Sequence, residues 1–154
     1  MKRILTIQDF SCVGKCSLTA ALPVISAAGI EACGIPTALL SNHTGFNTYY
    51  SHDLTDRISP IGRQLKAENI TFDAIYTGYI ASVEQMALIS ELLDEFRRQD
   101  TIVFVDPVMG DNGKLYSALS QEHSSHMMKL CRKADILAPN ITEACMLTGM
   151  EYIE

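Results

Sequence analysis

The sequence comprises 154 residues, 47% of them hydrophobic and 19% charged, with a formal net charge of −6. That length suits one domain burying roughly two-thirds of the surface its unfolded chain would expose, and the apolar share excludes a disordered chain. The acidic balance speaks against nucleic acid or an anionic membrane surface as a partner.

Along the chain, apolar runs suited to strands alternate with helical patterns. The opening MKRILTIQDF carries a basic pair, but its apolar run before Gln8 and Asp9 is too short for a secretory signal. Arg3 to Ile7, rich in β-branched residues, reads as a strand buried on both faces. Ser17 to Ala28 reads as a helix, kinked or shifted by Pro23 and closed by Gly29 in the left-handed region. Ile30 to Leu40 returns to a strand pattern that Gly34 and Pro36 make irregular or edge-like. Ser41 to Ser51 is turn-rich and aromatic, too polar for a core. Leu54 to Asn69 is a helix containing Pro60, and Phe72 to Thr77 a third strand. Ser82 and Gln85 form a capping-box pattern ahead of a helix whose Met86, Ile89, Leu93 and Phe96 make one apolar stripe. Thr101 to Val105 is a fourth, buried strand. Leu119 to Arg132 is a helix, Ala134 to Ala138 a short fifth strand, and Thr142 to Leu147 opens a last helix.

No run of about 18 apolar residues passes without a charge or breaker, so no membrane span is expected. Cys12, Cys16, Cys33, Cys131 and Cys145 form no CxxC pair and no zinc spacing. They read as reduced, mostly buried thiols, and a cytoplasmic location follows.

Strands separated by helices imply an α/β fold with a parallel sheet covered on both faces and right-handed crossovers. Ligands in such sheets bind beyond the carboxyl ends of the strands. The residues at those ends are strongly chemical. Gln8, Asp9, Ser11 and Gly14 follow the first strand, and Ser41 to Gly45 the second. Gly78 and Tyr79 follow the third, Asp106 to Gly113 the fourth, and Asn140 and Glu143 the fifth. Two carboxylates in DPVMGD and one in PNITEA face one crevice, a set suited to a hydrated divalent cation shared with phosphate oxygens. Phosphoryl transfer is the chemistry this suggests. Gly14-Lys15-Cys16-Ser17 does not meet the P-loop spacing.

DPVMGDNGKLY (Asp106 to Tyr116), SNHTG (Ser41 to Gly45), TGY (Thr77 to Tyr79) and PNITEA (Pro139 to Ala144) together resemble the pyridoxal kinases of the ribokinase-like superfamily. The resemblance implies that a Rossmann-like three-layer sandwich of residues 1–154 forms the N-terminal portion of one kinase domain. It implies ATP-dependent phosphorylation of the 5′-hydroxymethyl group of pyridoxal, pyridoxine or pyridoxamine. Asp9, His43, Thr44 and Tyr79 would bind the substrate, Asp9 standing where the family often has serine. Asp106, Asp111, Tyr116 and Asn140 would serve ATP, and Asp111 and Glu143 the magnesium, with a monovalent cation left open. No catalytic residue is assigned within the chain. The general base is expected from a GTGD-type motif beyond Glu154, so the chain alone is expected to be inactive. The resemblance also implies a homodimer.

Two rivals stand beside this reading: a hydroxymethylpyrimidine kinase of thiamine synthesis and a non-catalytic ligand-binding fragment. Structural roles also compete. Asn140 and Glu143 suit a helix cap as well as a metal, and Asp106-Pro107 suits a rigid turn. His123 and His126 read as surface residues, Cys12 and Cys16 as packing, and Asp94, Glu95, Arg97 and Arg98 as a solvated helix end.

Overall fold

The computed structural model describes residues 1–117 and 119–153. In chain order the elements are β1 (Arg3–Ser11), α1 (Leu18–Ala27), β2 (Glu31–Leu40), β3 (Ser51–Asp53), α2 (Thr55–Ala67), β4 (Ala74–Thr77) and α3 (Val83–Phe96). Then follow β5 (Ile102–Val105), the hairpin strands β6 (Gly110–Asp111) and β7 (Lys114–Leu115), α4 (Gln121–Cys131), β8 (Ile136–Leu137) and α5 (Ile141–Thr148). One sheet runs in the order β3-β2-β1-β4-β5-β8. All its pairings are parallel except that of β3 with β2.

Alternation along the strands divides the apolar residues between two faces. Leu5, Ile7, Ile75, Val103 and Val105 point to one face and pack in one core with Ile58, Met86, Ile89, Leu93, Phe96, Met127 and Leu130 of α2, α3 and α4. Each such side chain stabilises the fold by roughly 1.5–3 kcal/mol on burial, so this face carries most of the stability. On the other face α1 packs against β1 and β2, with Leu18 lying over Gly34. Beyond α1 that face is open. Ile102 and Ile136 keep 48% and 46% of their surface exposed.

The expected irregularity of the second strand is a slip in the β1–β2 register between Gln8 and Phe10, opposite Pro36 and Leu39. Because β3 pairs only with Ala38, Leu39 and Leu40, the earlier part of β2 is an edge, where proline is tolerated. Ser82 caps α3 as expected, accepting from the Gln85 N–H at 3.1 Å. The return bond differs from a capping box, because Gln85 Oε1 accepts from the Ala81 N–H. The rest of the Gln85 amide donates to Thr37 O, Asp53 Oδ2 and Thr55 Oγ1, knitting β2, β3, α2 and α3 together.

Two expectations are corrected. The cysteines are not mostly buried: Cys131 is, whereas Cys12 is exposed and the other three lie between, since Cys12 and Cys16 sit in the loop after β1. His123 is not a surface residue: only 2% of it is exposed, because it shares the inward face of α4 with Met127 and Leu130. Asp94, Glu95, Arg97 and Arg98 are exposed, as expected of a solvated helix end, with Arg97 paired to Asp135 at 2.6 Å and Asp94 to Lys133 at 2.6 Å. Among the described residues no helix is long and apolar enough to cross a membrane.

Candidate active site

The carboxyl ends of β1, β4 and β5 deliver their side chains to one rim of the sheet. Asp9, near the end of β1, is 5% exposed, a depth at which a carboxylate needs donors. It has two: the Ser11 hydroxyl donates to Oδ2 at 3.0 Å and the Ser17 hydroxyl to Oδ1 at 2.5 Å. The loop between β1 and α1 carries positive φ at Gly14 (125°), Lys15 (52°) and Ser17 (48°). Only glycine takes such a backbone freely, so the other two positions are held by their surroundings.

This loop is tied to the one after β2. The His43 N–H donates to Val13 O at 3.1 Å, and the His43 ring packs on Gly14 and Gly45, where any Cβ would overlap it. His43 Nδ1 accepts from the Gly45 N–H at 3.0 Å, and the ring lies 4.8 Å from Phe46. Thr44 is exposed, as are Phe46, Tyr49 and Tyr50 beyond it. Tyr79 follows β4 and is half-buried. Burial raises its phenol above the ordinary value, with nearby Tyr49 and Asp9 adding to the effect. Gly78 leaves the space that the Gln8 side chain fills.

The acidic residues gather on the other side of the rim. Asp106 ends β5, and no described residue donates a hydrogen bond to its carboxyl. Burial, reinforced by the charge of Glu143, raises it from 3.8 to about 6. Glu143 is buried and spent on fixed donors: Oε1 accepts from the Met109 N–H at 3.0 Å and Oε2 from the Asn140 N–H at 2.9 Å. With the Asn140 side chain accepting from the Glu143 N–H, this closes a full capping box on α5. Asn140 Nδ2 also donates to Gly110 O at 2.9 Å, and Thr142 accepts from the Gly113 N–H, so α5 pins the β6–β7 hairpin. Asp111 stands exposed on that hairpin, accepting from the Asn112 N–H. Tyr116 lies just past it. Its phenol is raised by burial and then by the charges of Asp111, Glu143 and Asp106.

A cavity of about 640 Å³ runs along the open face of the sheet beside α1, over Ile4, Ala74, Ile102, Phe104 and Ile136, and reaches Gln8, Ser17, Gly78, Tyr79, Asp106 and Val108 at the strand ends. Of the expected site residues, Tyr79 and Asp106 line it directly. Asp9 stands behind Ser17. His43, Thr44, Asp111, Tyr116, Asn140 and Glu143 lie outside its wall. Ser17 and Gln8 are wall residues to which the sequence assigned no site role. Gln8 stands out in the sequence by its place at a strand end, whereas Ser17 reads only as the start of a helix.

Among the described residues no three His, Cys, Asp or Glu side chains converge to hold a metal by themselves. The donor set still fits magnesium. Asp106 offers an unpaired carboxyl whose charge is disfavoured by Glu143, and such an ion keeps water and phosphate oxygens in most of its shell.

Comparison with known proteins agrees with this geometry. A pyridoxal kinase of Arabidopsis thaliana is 32% identical over 152 residues, covering 96% of this chain and 49% of that protein. The chain spans about half the length of the curated relatives it matches. A Bacteroides thetaiotaomicron protein, provisionally named a phosphomethylpyrimidine kinase and crystallised with pyridoxal, superposes with a TM-score of 0.95 at 40% identity, over 99% of this chain and 53% of its own. A Leishmania donovani pyridoxal kinase in complex with ADP and pyridoxamine superposes with a TM-score of 0.92 at 28% identity, over 100% of this chain and 55% of its own. The parallel sheet with helices on its two faces is that of the ribokinase-like pyridoxal kinases. The phosphomethylpyrimidine kinase family matches residues 13–154, nearly the whole sequence, and the chain belongs to that family.

Proposed function

We propose that this protein takes part in the ATP-dependent phosphorylation of the 5′-hydroxymethyl group of pyridoxal, pyridoxine or pyridoxamine. The observation that carries the reading is one cavity whose wall joins Tyr79, Gln8 and Ser17 to the unpaired carboxyl of Asp106. The first three suit a small polar aromatic ring, and the last suits the charge that accompanies phosphoryl transfer.

Tyr79 would lie against the ring, and Ser17 and Gln8 would bond to its polar edge. The β2–β3 loop, anchored by His43 on Gly14, would border the pocket with Thr44, Phe46 and the exposed tyrosines. Magnesium bound with ATP would neutralise charge on the transferring group, held by Asp106 and Asp111 and, through water, by Glu143 and Asn140. Tyr116 would stand over the phosphates from the hairpin. The acceptor hydroxyl also needs a general base. Asp9 and Glu143 spend both carboxylate oxygens on fixed donors, and Asp106 belongs to the phosphate side. The resemblance to pyridoxal kinases implies a base in chain outside residues 1–154, and we adopt that reading. A homodimer and a cytoplasmic location accompany this reading.

The test is phosphate transfer from ATP by the whole protein, with pyridoxal and hydroxymethylpyrimidine in competition. Transfer to the B6 ring is expected, and phosphorylation of the pyrimidine alone would overturn the proposal. Residues 1–154 by themselves are expected to bind pyridoxal with negligible turnover. Robust transfer by this segment would place the base within it.

A further inference from the structure

Ser17 immediately precedes α1, the position where a serine hydroxyl ordinarily caps the helix by accepting a backbone N–H. It does not cap here. Its backbone lies at φ 48°, ψ −129°, and no N–H of α1 reaches its side chain. Ser82 and Asn140, before α3 and α5, do accept such bonds. The Ser17 hydroxyl instead donates its proton to Asp9 Oδ1 at 2.5 Å, while the second Asp9 oxygen is occupied by Ser11. The helix thus forgoes a cap, and the loop accepts a sparsely populated backbone, in order to turn Ser17 towards Asp9. An outlier of this kind, sustained by its neighbours, points to function.

The direction of that hydrogen bond has a chemical consequence. A hydroxyl has one proton and two lone pairs, and a carboxylate only accepts. With its proton committed to Asp9, Ser17 Oγ presents lone pairs alone to the cavity it lines. We propose that Ser17, oriented by Asp9, is a specificity-determining acceptor that selects a ring bearing a hydrogen-bond donor at this point of the cavity. Asp9 is then a positioning residue acting through Ser17. This inference rests on the functional reading above. For a B6 ring the donor is either the protonated ring nitrogen or the ring hydroxyl.

The test is calorimetric titration of the protein with pyridoxine and with its analogue lacking the ring hydroxyl, across the pH range in which the ring nitrogen titrates. If the nitrogen is the donor, both rings bind, and affinity falls as the nitrogen loses its proton. If the hydroxyl is the donor, the analogue binds weakly at every pH. Asp9→Asn keeps the shape but supplies an amide donor, freeing the Ser17 proton to point into the cavity. It should weaken binding about tenfold, equivalent to about 1.4 kcal/mol, and flatten whichever of these two dependences the unaltered protein shows. Ser17→Gly, which suits the backbone and removes the hydroxyl, should do the same. The double variant should be no worse than either single one, because the two residues form one unit. Binding by the variants equal to that of the unaltered protein refutes the assignment alone. So does weakened binding that keeps its full dependence on pH and ring hydroxyl, since that marks a merely structural role. If the unaltered protein binds neither ring at any pH, the functional reading fails and takes this inference with it.

Discussion

Replacing Asp106 with asparagine should make the protein more stable at neutral pH, although it removes a residue of the proposed site. The Asp106 carboxyl is raised from 3.8 to about 6, chiefly by burial and then by Glu143. Its folded-state value lies above its unfolded one, so the folded protein binds this proton more tightly. The associated stability is fully present below about pH 4 and is lost as pH rises through about 6. A shift of about two units corresponds to roughly 3 kcal/mol. Asp106 opens onto the cavity, and solvent screening brings that down to about 1–2 kcal/mol. Asparagine keeps the shape and carries no charge, so Asp106→Asn should gain that amount at about pH 7.5 and lose the advantage near pH 4. Roughly 2–4 °C per kcal/mol is expected for a domain of this size. Urea and thermal unfolding followed by circular dichroism at both pH values measure the effect. A variant no more stable than its parent near pH 7.5, or a gain of equal size at both pH values, would refute the reasoning.

Gln85→Leu should destabilise by about 2–4 kcal/mol, because its buried amide makes bonds to Thr37, Asp53, Thr55 and Ala81 whose partners would be left unsatisfied. Urea unfolding measures this, and a change below about 1 kcal/mol would show that water replaces the lost partners. His123 is buried with an unbonded Nε2, and burial, with His126 nearby, lowers its pKa below the ordinary 6.5. Its unfolded form takes up the proton first, so stability should fall as pH drops below about 6.5. His123→Leu should remove that part of the pH dependence. An unchanged profile would show that protonated His123 is accommodated in the fold.

The frame of the fold was legible because each core strand is an apolar run closed by a breaker. Val103 and Val105 fill the interior as the run TIVFV implies. What escaped were elements too short to show a period. The three residues of β3 and the two-residue strands of the β6–β7 hairpin are held by pairing partners distant in sequence or by α5. His123 had a readable signal in its spacing to Met127 and Leu130, four and seven residues on, which places it on the inward face. Ser17 had none. The run from Ser17 to Ala28 reads simply as a helix, and only Asp9, brought within reach by the turn after β1, takes the Ser17 hydroxyl. The motifs gave the right strand ends. They did not distinguish residues that face the cavity from those, such as Glu143, that hold the facing residues in place.

That distinction recasts the two sides of the site. On the side of α5, every polar group of the cap is satisfied: Asn140 and Glu143 bond to each other's backbone, to Met109 and to Gly110, and fix the hairpin that carries Asp111. On the side of α1, the helix lacks its side-chain cap and Ser17 is strained, its hydroxyl spent on Asp9. A missing cap costs about 1 kcal/mol and a residue in a sparsely populated backbone about 1–3 kcal/mol. Full burial of Ile75, Val103 and Val105 on the opposite face offsets such costs, at roughly 1.5–3 kcal/mol each. A fold of this kind can hold unsatisfied groups at the strand ends because its stability is vested in the covered face. The rigid α5 side then serves as the fixed reference for the acidic residues, and the strained α1 side, with most to gain from a bound ring, is where ligand binding should stabilise the protein most.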